Sequence, residues 1–209
     1  MTATGAEGYL ELQEKRSRAS RQQILDAAVQ CLIEQGYAGA STLRIQELAG
    51  ISRGRLLHHF PSRDELLVGA VQHLASTRVA ELREGVGAMI TAAADDPARI
   101  DEAVGQMWSN FHQPFFWASI ELWVAARHND ALRDALRPAE HQLQRAIYET
   151  VAVMFGPVWA ARPRYWQVTD ILLSSMRGVA LAYGFDPRNP ERDPHLAQWC
   201  GMARILLAD

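Results

Sequence analysis

The sequence predicts an all-α protein, and three observations predict it. Apolar residues recur at helical spacing along nearly the whole chain, alternating β-branched runs and Asn-Gly or Asp-Gly hairpin turns are absent, and Gly and Pro fall between the periodic stretches. At 209 residues with 48% hydrophobic and 22% charged side chains, the chain has enough apolar material for a packed core and too little charge for a disordered or coiled-coil protein. At this length the chain fits one large domain or a small domain plus a larger one, and a small N-terminal head over 15–62 with a larger helical body over 63–209 is the division expected.

The elements follow in order. Met1–Ala19 is small, polar and charged and is expected to lack structure up to about Lys15. Ser20 then opens the first helix with Gln23 three residues on, a capping-box pattern. Ile24, Ala28, Cys31 and Leu32 line one side, and Gly36 stands where a helix ends in a left-handed residue, with Tyr37 packing back. A short helix is expected over Thr42–Ala49, capped by Ser41 or Thr42, with Ile45 and Leu48 facing inward. Ala49-Gly50-Ile51 makes a tight turn, Ser52 caps a second short helix from Arg53 to about His59, and Pro61 stops it. Ser62 with Glu65 is a second capping box, opening a long helix from Arg63 to about Ala93 with Leu66, Leu67, Ala70, Val71, Leu74, Val79, Leu82, Val86 and Met89 on its apolar side. Five more helices are expected over 98–112, 114–127, 130–155, 163–183 and 190–207.

Charge is unevenly distributed. Glu14–Arg63 carries eight Lys and Arg against four acids, a local +4 within a chain of net −3, so the remainder is −7. A basic head on an acidic body suits a polyanion, because phosphate binding follows the local field. Cys31 and Cys200 lie in helical apolar patterns and read as small buried hydrophobes. No secretory signal or bilayer-length apolar run is present, since Phe115–Ala126 is too short and contains Glu121, so a cytoplasmic protein without a membrane partner is expected.

Two short helices joined by a turn with a central Gly form a helix-turn-helix, in which the second helix reads base edges in the major groove. Arg53, Arg55, His58 and His59 cluster on that second helix. An ordinary helical hairpin with a basic surface would share the spacing. The segment Ile24-Leu25-Asp26-Ala27-Ala28, Gly36-Tyr37 and the unbroken run from Ile45 through Arg53-Gly54-Arg55-Leu56-Leu57-His58-His59-Phe60-Pro61 to Leu67 resembles the TetR family of transcriptional regulators. Glu121–Arg127 and Arg177–Leu181 resemble the family's C-terminal half more loosely.

The resemblance implies a homodimer whose first three helices bind double-stranded operator DNA and whose body binds a small-molecule effector. It places Ser52, Arg53, Gly54 and Arg55 at the base-reading start of the recognition helix, where Arg can contact guanine and Gly allows close approach. It places His58 and His59 at positions that reach phosphate or base edges, Arg63 at a phosphate-contacting position, and Lys15, Arg16 and Arg18 on an arm along the DNA. Two residues depart from the family pattern: Leu57 stands where Tyr is usual, and Leu43 where Arg or a polar residue is common, with Arg44 next door as the residue to compensate. Phe60 reads as core beneath the recognition helix. Repression relieved by a ligand is the family's default, with activation or ligand-requiring DNA binding as alternatives.

In the body, Met107, Trp108, Phe111, His112, Phe115, Phe116, Trp117, Ile120, Trp123, Tyr148 and Arg177 form an aromatic region with polar interruptions, the composition of a pocket for a lipophilic or aromatic molecule. His112, Glu121, His141 and Arg177 either orient a ligand or pair between helices, for example Glu121 with Arg127 or Arg177. The last two helices are apolar around most of their circumference, more than one chain buries easily, so Leu172, Met176, Val179, Tyr183, Leu196, Trp199, Met202, Ala203 and Leu206 are expected at a four-helix dimer interface. No nucleophile elbow, phosphate loop, dinucleotide fingerprint or zinc spacing is present. Catalytic residues, a metal site and a cofactor are therefore not expected, and a small helical enzyme is the alternative class.

Overall fold

The computed structural model describes residues 3–208; the side chains of 3–8, 10, 78, 82, 83, 86 and 87 are outside the described set. Leu82 and Val86, expected on the apolar side of the long helix, fall among these. The described residues form nine α-helices, one 3-10 turn and no strand. The helices are α1 (Ala3–Gly39), α2 (Thr42–Ala49), α3 (Arg53–His59), α4 (Arg63–Met89), α5 (Ala98–Asn110), α6 (Pro114–Ala126), α7 (Asp130–Ala160), α8 (Tyr165–Tyr183) and α9 (Pro194–Ala208), with the 3-10 turn at Pro190–Arg192.

Serines start the helices at the head. The Arg44 amide donates to Ser41 Oγ at 3.2 Å and the Arg55 amide to Ser52 Oγ at 3.3 Å, each satisfying one of the donors a helix start leaves open. The Glu65 amide donates to Ser62 Oγ at 3.1 Å, and the Ser62 hydroxyl donates to the Glu65 carboxylate at 3.1 Å. Gly50 closes α2 in the left-handed region at φ 62°, ψ 33°, where a Cβ would be strained.

The front of the chain corrects the sequence reading. α1 begins at Ala3, so Ser20 is not its cap but an interior residue, buried, with no partner for its hydroxyl. Residues 11–19 are all exposed, so burial does not hold them helical. Their composition does: this stretch carries Glu, Leu, Gln, Lys and Arg with no Pro or β-branched residue, and Arg18 pairs with Glu14 one turn away at 3.2 Å. Gly36 breaks α1 at φ 66°, ψ −178°, leaving a last short turn to Gly39.

Packing gathers the chain into two units. The first comprises the residues up to Ala75 together with Trp117–Glu140, the second Ser76–Phe116 together with His141 onward; α4, α6 and α7 supply residues to both. The first unit is built on Ile24, Leu25, Cys31 and Leu32 of α1, Ile45 of α2, Leu56 of α3, Phe60, Leu66, Leu67 and Val71 around α4, Leu122 of α6 and Leu132 of α7. Leu48, expected inward, is 43% exposed; Ala49 takes the inward place beside Ile45.

In the second unit α5, α8 and α9 pack on one another. Its buried residues include Ile100, Met107 and Trp108 of α5, Val168, Leu172 and Met176 of α8, and Trp199, Ala203 and Leu207 of α9. α7 breaks at Gly156, φ 79°, and Arg99 from α5 serves the carbonyls left open there, donating to Phe155 O at 3.0 Å and Val153 O at 3.2 Å, and also to Ala92 O at 3.0 Å. The last helix starts four residues later than the sequence suggested, because Asp193 caps it: its carboxylate accepts the His195 amide at 2.8 Å, with Pro194 in the first helical position. Cys31 and Cys200 are both free and buried, and burial pushes the Cys200 thiol up to about 11.

Candidate nucleic-acid interface

α3 has one buried residue, Leu56, and Phe60 just beyond it closes the helix by donating its amide to Leu56 O at 2.9 Å. Both belong to the first unit's core. That anchoring turns the rest of the helix outward: Ser52, Arg53, Gly54, Arg55, Leu57 and His58 are all exposed, with His59 half-buried. No ion pair is found for Arg53 or Arg55 among the described residues, so both guanidiniums are open to an external anion. A Cβ built on Gly54 would meet nothing within 4 Å, so the chain itself imposes no need for glycine there. Burial holds the His59 imidazole below its ordinary pKa, with the neighbouring His58 and the Arg55 and Arg21 charges acting in the same direction.

Other sequence-predicted positions differ in availability. Arg44 is exposed but lies 3.7 Å from Glu47 on the same helix, a pair of little strength in water. Leu43 beside it is 62% exposed. Lys15 and Arg18 lie on the exposed front of α1, Arg18 paired to Glu14. Arg63 is corrected: its guanidinium lies 4.2 Å from the Tyr37 ring centroid and donates to the carbonyls of Tyr37 and of Ala40, the latter at 2.9 Å. It holds the chain between α1 and α2, which leaves little of it for phosphate.

Sequence reasoning missed what surrounds Tyr37. Its hydroxyl donates to Asp64 at 2.9 Å and its amide donates to Glu121 at 2.9 Å. The Glu121 carboxylate therefore serves a backbone amide, and the expected pairing with Arg127 or Arg177 is not the contact it makes. No motif announces such a contact, which joins residues 84 apart in sequence.

The candidate pocket residues fall in both units. Trp117, Ile120 and Trp123 lie in the first; Met107, Trp108, Phe111, His112, Phe115, Phe116, Tyr148 and Arg177 lie in the second. In the second, Trp108 is the hub: its indole N–H donates to Pro190 O at 2.9 Å, and its ring centroid is 4.3 Å from His112, 4.9 Å from Trp199 and 5.9 Å from Tyr183. Phe111 bridges from Trp108 to Phe116. Tyr148 is engaged elsewhere, its hydroxyl donating to Asp170 and its ring 5.9 Å from Trp166. His112 Nε2 is buried with no partner, and burial lowers the imidazole's pKa, against the opposing pull of Asp193. Burial also opposes ionisation of Asp193, but hydrogen bonds from Tyr183 and His195 outweigh it and hold its carboxyl below the usual range. Tyr183 is pushed up to about 12 by burial and by donating to that carboxylate.

The expected dimer residues divide. Leu172, Met176, Trp199 and Ala203 are buried within the chain's own second unit, which removes them from an interface. Val179, Tyr183, Leu196, Met202 and Leu206 are half-buried. The exposed large apolar residues on these helices are Trp166, Ile171 and Leu181 of α8 and Ile205 of α9, the last 71% exposed. No helix is long and apolar enough to cross a membrane among the described residues.

Residues 24–70 match the family described as bacterial regulatory proteins, tetR family. The repressor AcnR of Corynebacterium glutamicum is 37% identical over 84 residues, 39% of this chain; the chain spans only 44% of that relative's length. The regulator CymR of Pseudomonas putida is 24% identical over 169 residues, 81% of each chain. The solved structure of the multidrug binding protein EbrR complexed with ethidium shares the fold, with a TM-score of 0.60 at 21% identity over 90% of this chain and 96% of that one. Over residues 24–70, which span the helix-turn-helix and its anchoring in the first core, the chain is similar to the tetR family of bacterial regulatory proteins.

Proposed function

We propose that two copies of this chain bind a near-palindromic DNA operator through α3, acting as a repressor that a small lipophilic or aromatic molecule releases. The observation that carries the reading is the exposure of Arg53, Gly54, Arg55 and His58 on a serine-capped helix pinned from beneath by Leu56 and Phe60. Arg at the start of a recognition helix can engage guanine O6 and N7, and the free amides of the α3 N-terminus favour phosphate. In this reading residues 15–62 hold the DNA, and 63–209 bind the effector and the second copy in the cytoplasm. Trp166, Ile171, Leu181 and Ile205 are exposed large apolar residues on α8 and α9 that could meet that second copy.

The effector reading rests on the Trp108 cluster and its unpartnered His112 nitrogen. EbrR's complex with ethidium supports an aromatic ligand by analogy of fold alone. A ligand that favours one arrangement of the body by about 1–3 kcal/mol would change DNA affinity about 5–150-fold.

The test is enrichment of double-stranded fragments from a random pool, followed by affinity against salt. Enrichment of a two-fold symmetric sequence is expected, with affinity falling about tenfold or more between about 50 and 200 mM salt. No enrichment, or a flat salt response, would remove the DNA reading. Lipophilic aromatic cations added to the complex then test release.

Gly54→Ala separates fold from function. Alanine is the better helix former by about 0.5–1 kcal/mol and meets no atom in the free protein, so the unfolding midpoint should hold or rise. Affinity for the enriched fragment should fall, because the methyl group occupies the space between helix and groove. Unchanged affinity would place Gly54 away from the DNA.

A further inference from the structure

Glu121 reaches the backbone of the head at a glycine-only bend. Gly36 sits at φ 66°, and a Cβ there would lie 2.9 Å from Glu121 Oε2, so the absent side chain is what lets the carboxylate come up to the main chain. The amide that follows, Tyr37, donates to that oxygen at 2.9 Å. A second strand of the same tie runs through the Tyr37 hydroxyl: Asp64 accepts it at 2.9 Å and accepts Asn129 Nδ2 at 3.1 Å with its other oxygen. Asn129 in turn caps α7, its Oδ1 accepting the Leu132 amide at 3.0 Å. From Tyr37 the short stretch Ala38–Ser41, with Ala40 fully buried and Ser41 as the cap, leads into α2, and Gly50 and Ser52 fix α3 to α2.

We propose that Glu121 is a positioning residue for the DNA-reading helices: its carboxylate fixes the Gly36–Tyr37 bend to α6, so that the place of α6 sets the angle at which α2 and α3 are offered to DNA. This rests on the DNA reading above. A charge-assisted bond to one amide holds a direction as well as a distance, and here it acts at the pivot between α1 and the pair α2–α3. A shift of α6 along its axis thus reaches Arg53 through one hydrogen bond and the stretch of chain that holds α2, alongside the contacts that Arg63 and Asp64 of α4 make to the same segment.

The experiment compares Glu121→Leu, Glu121→Asp and Glu121→Gln in the full chain. Three quantities are read: affinity for the fragment that the unaltered protein enriches, the unfolding midpoint by circular dichroism, and amide hydrogen exchange at Tyr37. The Leu and Asp variants, which lose the acceptor or fall one methylene short of the amide, should bind about tenfold more weakly and exchange Tyr37 about tenfold faster, with the midpoint held within a few degrees. The Gln variant keeps an acceptor oxygen and should restore both. If the Leu variant fails to fold, the Asp and Gln pair carries the comparison. Wild-type affinity in both the Leu and Asp variants would overturn the proposal and leave the DNA reading standing. Lost affinity with Tyr37 exchange unchanged would also overturn it. If the unaltered protein enriches no fragment, the DNA reading and this inference fall together.

Discussion

Phe60→Ala is expected to lower the free energy of unfolding by about 3–5 kcal/mol, the usual cost of truncating a buried aromatic residue. Phe60 is 4% exposed in the core that also holds Leu25, Leu56, Leu66 and Leu67, and its ring edge lies 3.3 Å from where a Gly69 Cβ would stand. Leu25 and Leu66 are themselves almost fully buried, so little can move in to fill the gap. The Arg21 guanidinium, 5.1 Å from the ring centroid, loses its aromatic face as well. Denaturant titration followed by circular dichroism measures the change. A loss under 1 kcal/mol would mean that α3 is not held from beneath as described.

Arg53→Ala should have the opposite profile. The side chain is exposed and without an ion pair among the described residues, so the unfolding midpoint should stay within error. Affinity for the enriched fragment should drop about tenfold to a hundredfold, the worth of one bidentate contact to a base, and preference at one position of each half-site should relax. Repeating the enrichment with the variant reads this directly. An unaltered preference would take Arg53 out of base reading and leave it, at most, a phosphate contact, in which case the loss would be nearly uniform across sequences.

The head was legible in the sequence wherever a local rule decides the structure. The bounds of α2 and α3 follow from Ser41, Gly50, Ser52 and Pro61, residues that act on their own backbone, and both helices run as expected. The start of α1 was not legible by the same route. A search for apolar periodicity finds nothing before Ile24, whereas the helix there is sustained by intrinsic propensity. On α8 and α9 the difficulty was excess. Apolar residues cover several faces, and periodicity cannot say which face meets the chain's own core. Leu172, Met176, Trp199 and Ala203 turned out to face inward, while Ile171, Leu181 and Ile205 do not. The roles of Arg63 and Glu121 were hidden for a third reason: each serves main-chain atoms of a distant segment, and sequence patterns describe side chains.

The exposed front of α1 has a consequence for how such a protein can change over generations. From Glu11 to Ala19 nothing is shielded from water, so exchanging a charge there costs the fold almost nothing. Lys15, Arg16 and Arg18 can be gained, lost or neutralised one at a time, and each step would alter the general pull towards a polyanion by a small increment. Under the proposed DNA reading, grip strength can thus drift independently of robustness to heat, while the letters being read, carried by a helix seated on a hydrophobic base, stay the same.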